Sequence, residues 1–159
     1  MSSAHKNLSV YNTKDITDVS QKTFAVVVAE WNEEITEALY NGVEATLLKH
    51  GVAKSNIIKA YVPGSYELSY GSQVFAAKEN VDAVIALGCV IQGETKHNDY
   101  INNAVANGLT QVSLKFNKPV IFGVLTPNTH QQALDRAGGI HGNKGDEAAI
   151  TAIKMLGLK

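Results

Sequence analysis

At 159 residues, 45% of them hydrophobic and 18% charged, the chain is long enough for a real core in one domain, and its formal net charge of -1 offers no global attraction for nucleic acid or an anionic membrane. A single cysteine, Cys89, excludes an intrachain disulfide and suits a reducing cytoplasm, and the scattered His5, His50, His97, His130 and His141 make no metal-site pattern. The N-terminus lacks the apolar stretch of a signal peptide and no segment is long enough to span a bilayer, so a cytoplasmic protein without metal or membrane contact is expected.

Residues 1–22 are polar and lack a firm period, which marks an arm, either loose or paired as a strand with a neighbouring copy. Strand and helix then alternate. The runs Phe24–Ala29, Ile57–Val62, Asp82–Leu87 and Pro119–Leu125 read as strands, the third as one buried on both faces. Helices are expected at about 33–50, 67–79, 98–116, 129–137 and 145–157. Asn32 is placed to cap the first of them, Glu33 and Glu34 suit its positive end, and Gly51 can close it in a left-handed conformation. Ile101, Ala104, Val105, Leu109 and Val112 form the apolar stripe of the third. Asn128 or Thr129 can cap the fourth, Gly138 can end it, and Gly145-Asp146-Glu147 opens the last.

Such alternation implies βαβ units with right-handed crossovers. The expected fold is α/β: a three-layer α/β/α sandwich around a four-stranded, mainly parallel sheet, flavodoxin-like in size, with residues 23–159 as one domain behind the arm.

Ligands of open parallel sheets bind beyond the carboxyl ends of the strands, and the residues that packing does not explain collect there. The first strand leaves through Glu30-Trp31-Asn32, the second through Pro63-Gly64-Ser65-Tyr66-Glu67, and the fourth through Gly123-Val124-Leu125-Thr126-Pro127. The third leaves through Gly88-Cys89-Val90-Ile91-Gln92-Gly93-Glu94-Thr95-Lys96-His97. In that last run Gly93 lets backbone approach a ligand, and the amides of the helix start favour an anion such as phosphate. The imidazole of His97 at the same helix start is a group that can take or give a proton. Trp31 offers a flat face for a planar ligand, and Ser65 and Glu67 offer a hydroxyl and a carboxylate to a polyol. Arg136 and Lys144 are the cations suited to phosphate, Arg as a planar fork and Lys as a point charge. Each residue also has a plainer role: helix capping for Ser65, Glu67 and His97, a lid or subunit contact for Trp31, a partner to a helix C-terminus for Arg136, and packing for Cys89.

Taken in order, these pieces resemble the lumazine synthase family of the riboflavin pathway. The resemblance is carried by Trp31-Asn32 with Ile35-Thr36, Pro63-Gly64-Ser65-Tyr66-Glu67, and Gly88-x-Val90-Ile91-x-Gly93-x-Thr95-x-His97-x-x-Tyr100. It continues in Pro119-Val120-x-Phe122-Gly123-Val124-Leu125-Thr126 and in Gln132-Ala133-x-x-Arg136-Ala137-Gly138 leading to Gly142-Asn143-Lys144-Gly145. It covers residues from about 23 to 157.

The resemblance implies condensation of 5-amino-6-(D-ribitylamino)uracil with 3,4-dihydroxy-2-butanone 4-phosphate, giving 6,7-dimethyl-8-ribityllumazine, phosphate and water, without a cofactor. It implies that Trp31 stacks on the pyrimidine, that Ser65 and Glu67 hold the ribityl chain with Tyr66 between them, and that backbone at Val90 and Ile91 reads the pyrimidine edge. Gly93, Glu94 and Thr95 would bind phosphate with Arg136. Phe122 and Lys144 would complete the pocket from an adjacent subunit, and His97 would shuttle protons. It further implies homopentamers with sites between subunits, in some members closed into an icosahedral shell of twelve rings, and an association with riboflavin synthase. The Ala137–Asn143 segment has the length of the shell-forming type, although Ile140 stands where that type usually has lysine. Asn98 replaces a common aromatic, Ser69 a frequent proline, and Trp31 a frequent phenylalanine. Two other classes fit the same fold: a non-catalytic binder of lumazines or flavins, for which His97 and Arg136 would be superfluous, and a shell protein with a relict pocket.

Overall fold

Two apolar faces per strand organise the molecule, in a computed structural model that describes residues 7, 9–12 and 16–158. Strand β1 (Phe24–Ala29) is wholly buried: Phe24, Val26 and Val28 enter one apolar cluster, and Ala25, Val27 and Ala29 enter another. Strand β3 (Ala83–Cys89) divides likewise, with Ala83, Ile85, Leu87 and Cys89 on the first side and Val84 and Ala86 on the second. Side chains alternate along a strand, so a run without polar residues needs cover on both faces. Helices α1 (Glu33–Lys49) and α5 (Lys144–Leu156) pack together over the first face, through residues such as Ile35, Leu39, Val43 and Ile153. Helices α2 (Leu68–Ala76) and α3 (His97–Phe116) pack together over the second, through Leu68, Val105, Leu109 and Val112. A fully buried aliphatic side chain contributes about 1.5–3 kcal/mol, whereas an exposed ion pair contributes about 0–1 kcal/mol. These two clusters therefore hold the fold.

With β2 (Ile57–Val62) and β4 (Val120–Leu125), the sheet has the order β2-β1-β3-β4, and every pairing is parallel. The three-layer α/β/α expectation is met. All four carboxyl ends lie on one edge, and the chain order reverses between β1 and β3, which is where a crevice opens in such sheets. The edge strand β2 is only half-buried. Its Lys59 donates to both carboxylate oxygens of Glu37 at 2.9 and 2.7 Å and lies 3.9 Å from the centre of the Tyr40 ring.

Several boundaries differ from the sequence reading. The third strand begins at Ala83 and runs past Leu87, because Gly88 and Cys89 still pair with Val124 and Leu125. Asp82 lies outside it, holding Lys22 Nζ at 2.9 Å and the Thr23 amide at 2.8 Å. Residues 65–67 form a 3-10 turn before α2, and α3 starts at His97. On α3, Ala104 is exposed while Asn102 is half-buried, the reverse of the expected stripe. The fourth helix, α4 (His130–Leu134), is much shorter than 129–137, though Thr129 Oγ1 caps it by accepting from Gln132 N at 3.2 Å. Gly138 does not end that helix. It lies in an antiparallel hairpin of β5 (Ala137–Gly139) and β6 (Gly142–Asn143), where Gly138 and Gly142 adopt φ of 112° and 78° that other residues rarely tolerate. Gly51, at φ 86°, closes α1 as expected.

Much of the N-terminal segment is described, and it lies on its own chain: Val19 is buried, with Tyr11 and Ile16 packed on the α1/α5 cluster. Residues 1–6, 8 and 13–15 of the expected arm lie outside the described residues. Among the described residues, no helix is long and apolar enough to cross a membrane, and no group of three His, Cys, Asp or Glu could hold a metal.

Cys89 is buried at the end of β3, and burial pushes its thiol up to about 11. Since the thiolate is the nucleophile, the native protein is expected to resist iodoacetamide at about pH 8 for as long as the urea-unfolded chain takes to label fully. Equal labelling rates in the two states would show that the folded thiol is reached.

Candidate active site

Backbone hydrogen bonds continue past the strand ends and tie the exits together. Glu30 N donates to Val62 O at 2.8 Å and Trp31 N to Pro63 O at 3.2 Å, fixing the first exit beside the second. Val90 N donates to Leu125 O at 2.8 Å and Gln92 N to Pro127 O at 3.0 Å, fixing the third beside the fourth. Asn32 joins the two pairs. It does not cap α1 with its side chain; its backbone is left-handed, at φ 62°, and its Nδ2 donates to Cys89 O at 2.8 Å. Asparagine tolerates that conformation better than most residues, and here it brings Trp31 toward the end of β3.

A cavity of about 590 Å³ opens at the reversal point between β1 and β3. It brings together Trp31, Ser65, Tyr66, Glu67, Val90, Ile91, Gly93, Thr95 and His97 from three strand exits and the start of α3. Trp31 is 73% exposed, so its indole face is open to a planar partner rather than spent on the core. Tyr66 is exposed beside it. Ser65 is buried, and room for it comes from Gly88, where a Cβ would fall 2.5 Å from Ser65 Oγ. That Oγ has no hydrogen-bond partner among the described residues. An unpaired buried hydroxyl costs about 1–3 kcal/mol, and this Oγ, set against Gly88, has almost no surface open to the cavity.

On the other side of the cavity, a Cβ at Gly93 would meet nothing within 4 Å, so the loop backbone there stands open. His97 is the first residue of α3, and its amide donates to Thr95 Oγ1 at 3.4 Å. A hydroxyl, a free loop backbone and an imidazole thus meet at a twenty-residue helix start, where negative charge is favoured. Glu94 is exposed in the same loop, outside the cavity lining.

The remaining expected residues lie elsewhere. Phe122, Arg136 and Lys144 line a second cavity, about 830 Å³, along the outer edge of β4 and against α5, and among the described residues it shares no lining residue with the first. Arg136 is not in a helix. It follows α4, and its Nη1 donates to Gln132 O at 3.1 Å, so the guanidinium covers the helix C-terminus. Lys144 Nζ pairs with Glu147 at 2.9 Å and is mostly buried. The two cations are adjacent through the hairpin base, where Lys144 N donates to Arg136 O at 2.8 Å.

Asn32, Asn98 and Ile101 also line the first cavity, and Gln132 and Glu147 the second. Asn32 was legible only as a cap, since its partner Cys89 is remote in sequence. Ile101 sits one turn into α3, where the apolar stripe reaches the cavity.

The family model described as 6,7-dimethyl-8-ribityllumazine synthase matches residues 21–159. A protein of that name from Cytophaga hutchinsonii is 66% identical over 156 residues, covering 98% of both chains. The proteins of that name from Parabacteroides distasonis and Porphyromonas gingivalis are each 51% identical, covering 98% of both chains and 100% and 99% respectively.

Proposed function

This chain belongs to the 6,7-dimethyl-8-ribityllumazine synthase family, and from that premise we propose how its residues divide the family's reaction. It is an enzyme of riboflavin biosynthesis that condenses 5-amino-6-(D-ribitylamino)uracil with 3,4-dihydroxy-2-butanone 4-phosphate, releasing phosphate and water. Trp31 stacks on the pyrimidine, backbone at Val90 and Ile91 meets its polar edge, and Ser65 and Glu67 take hydroxyls of the ribityl chain alongside Tyr66. The open indole and the place of Ser65, Tyr66 and Glu67 in the lining of the same cavity support this assignment. Gly93, Glu94 and Thr95 receive the phosphate at the start of α3, the Glu94 contribution coming from its backbone. His97, at the same helix start, carries protons as the amine attacks the ketone, phosphate leaves and the ring closes.

Arg136, Phe122 and Lys144 complete the site from an adjacent subunit. The observation that carries this is the division of the expected residues into two cavities without a common residue. A cytoplasmic homopentamer with a site at each boundary is the assembly that this division and the family support. Its further closure into a shell, and an association with riboflavin synthase, follow from the family alone.

Mixing tests the shared site. His97→Ala subunits and Arg136→Ala subunits, unfolded together, reassembled and assayed at butanone phosphate well below the KM of the Arg136→Ala enzyme, are expected to form lumazine faster than the average of the two variants reassembled alone. Each mixed boundary of the right sense then contains an intact histidine side and an intact arginine side. Activity no greater than the average of the two separate variants would place both residues within one subunit's site.

A further inference from the structure

Arg136 and Lys144 flank the β5–β6 hairpin, so the position of both cations depends on how that hairpin is held. Its own pairing is slight, with three residues against two, an irregular register and two left-handed glycines, and so short a ribbon is not stable by itself. Asn143 supplies the anchorage on the α1 side, its Nδ2 donating to Ala38 O at 2.9 Å. The other anchor comes from the far end of the chain: the backbone N–H of Asn143 donates to Ser9 Oγ at 3.0 Å. Ser9 is held for this by a local turn, in which its own N–H donates to Asn7 Oδ1 at 2.9 Å and Val10 N donates to Asn7 O at 3.2 Å. The turn lies flat on Gly142, where a Cβ would come within 2.9 Å of both Ser9 N and Ser9 Oγ. Farther along, the segment is fastened by Tyr11, whose hydroxyl meets His50 Nε2 at 3.3 Å, and by Val19 in the core.

We propose that the turn at Asn7 and Ser9 is a strap that sets the phosphate-binding position of Arg136, with Ser9 a positioning residue acting through Asn143. This rests on the reading of Arg136 as a phosphate ligand. Ser9 itself touches no substrate. Its hydroxyl fixes Asn143, which pairs across the hairpin base with Ala137, the residue next to Arg136, and the missing Cβ of Gly142 gives the strap its seat.

The test compares Ser9→Ala, Ser9→Thr and Arg136→Ala in the assembled enzyme, by steady-state lumazine formation with each substrate varied in turn. Loss of one hydrogen bond corresponds to roughly threefold to tenfold in an equilibrium. Ser9→Ala is expected to raise KM for the butanone phosphate by about that factor, with kcat little changed, and Ser9→Thr, which keeps the hydroxyl, to restore the KM. A rise in KM for Arg136→Ala with none for Ser9→Ala overturns the strap alone. A lower kcat with both KM values unchanged would mark mere loss of folded enzyme and also overturns it. An unchanged KM in Arg136→Ala removes the phosphate role of Arg136 and the strap's role with it.

Discussion

His97→Ala is expected to lower kcat by about 10²–10⁴-fold, the usual contribution of one positioned acid–base group, and still to leave a measurable enzyme. Among the described residues His97 is the only imidazole in the first cavity, and it stands at the helix start together with Thr95 and the open backbone of Gly93. Amine attack, loss of phosphate and ring closure each require a proton to move, and a single mobile carrier in that place serves all three. The rest of the acceleration is assigned to holding two reactants against each other, which can be worth more than proton transfer. Removing the ring leaves the indole of Trp31, the Ser65 hydroxyl and the helix start in place. The check is kcat from lumazine absorbance, with phosphate release followed in parallel. A fall to the uncatalysed rate would mean that juxtaposition contributes little, and an unchanged kcat would remove His97 from the chemistry.

Arg136→Ala is expected to act on affinity, raising KM for 3,4-dihydroxy-2-butanone 4-phosphate by about tenfold to a hundredfold, the range for losing a charge-assisted hydrogen bond. Its bond to Gln132 O employs one of five guanidinium N–H groups, so a fork for phosphate oxygens remains. The same bond orients the side chain before any substrate arrives. Arg136→Lys is expected to recover only part of the loss, since a point charge does not reproduce planar two-point contact. KM for the ribitylaminouracil is expected to change little in either variant. Equal changes for both substrates would instead indicate a general disturbance of the subunit boundary.

What was legible in the sequence was what depends on near neighbours along the chain. Phe24–Ala29 and Val84–Leu87 are runs without a polar residue, and such a run can only lie inside a sheet covered on both sides, so layers and helix order followed. The third strand's end was misplaced because Gly88 reads as a turn, whereas its lack of a side chain is what admits Ser65. The β5–β6 hairpin escaped notice because three of its five strand residues are glycines, which carry no period. Site residues were recognisable through motifs at strand exits, but their division between two cavities was not, since spacing does not say on which face of the sheet an exit opens. Asn32 and Ser9 illustrate the remaining limit: their partners are Cys89 and Asn143, 57 and 134 positions away.

The hydrogen bonds that run on beyond the strand ends make the floor of the first cavity a platform of main chain. Main chain is common to every sequence, so the platform's shape is indifferent to which side chains stand on it. Gln92 can be replaced by any residue that carries an N–H, and Val90 and Ile91 by apolar residues that keep their packing, while the amide of Val90 still meets Leu125 and that of Gln92 still meets Pro127. Heritable change in what the cavity accepts is thereby decoupled from the persistence of the cavity itself. Gly88 and Asn32, one for its lack of a side chain and the other for its left-handed turn, are denied even that freedom.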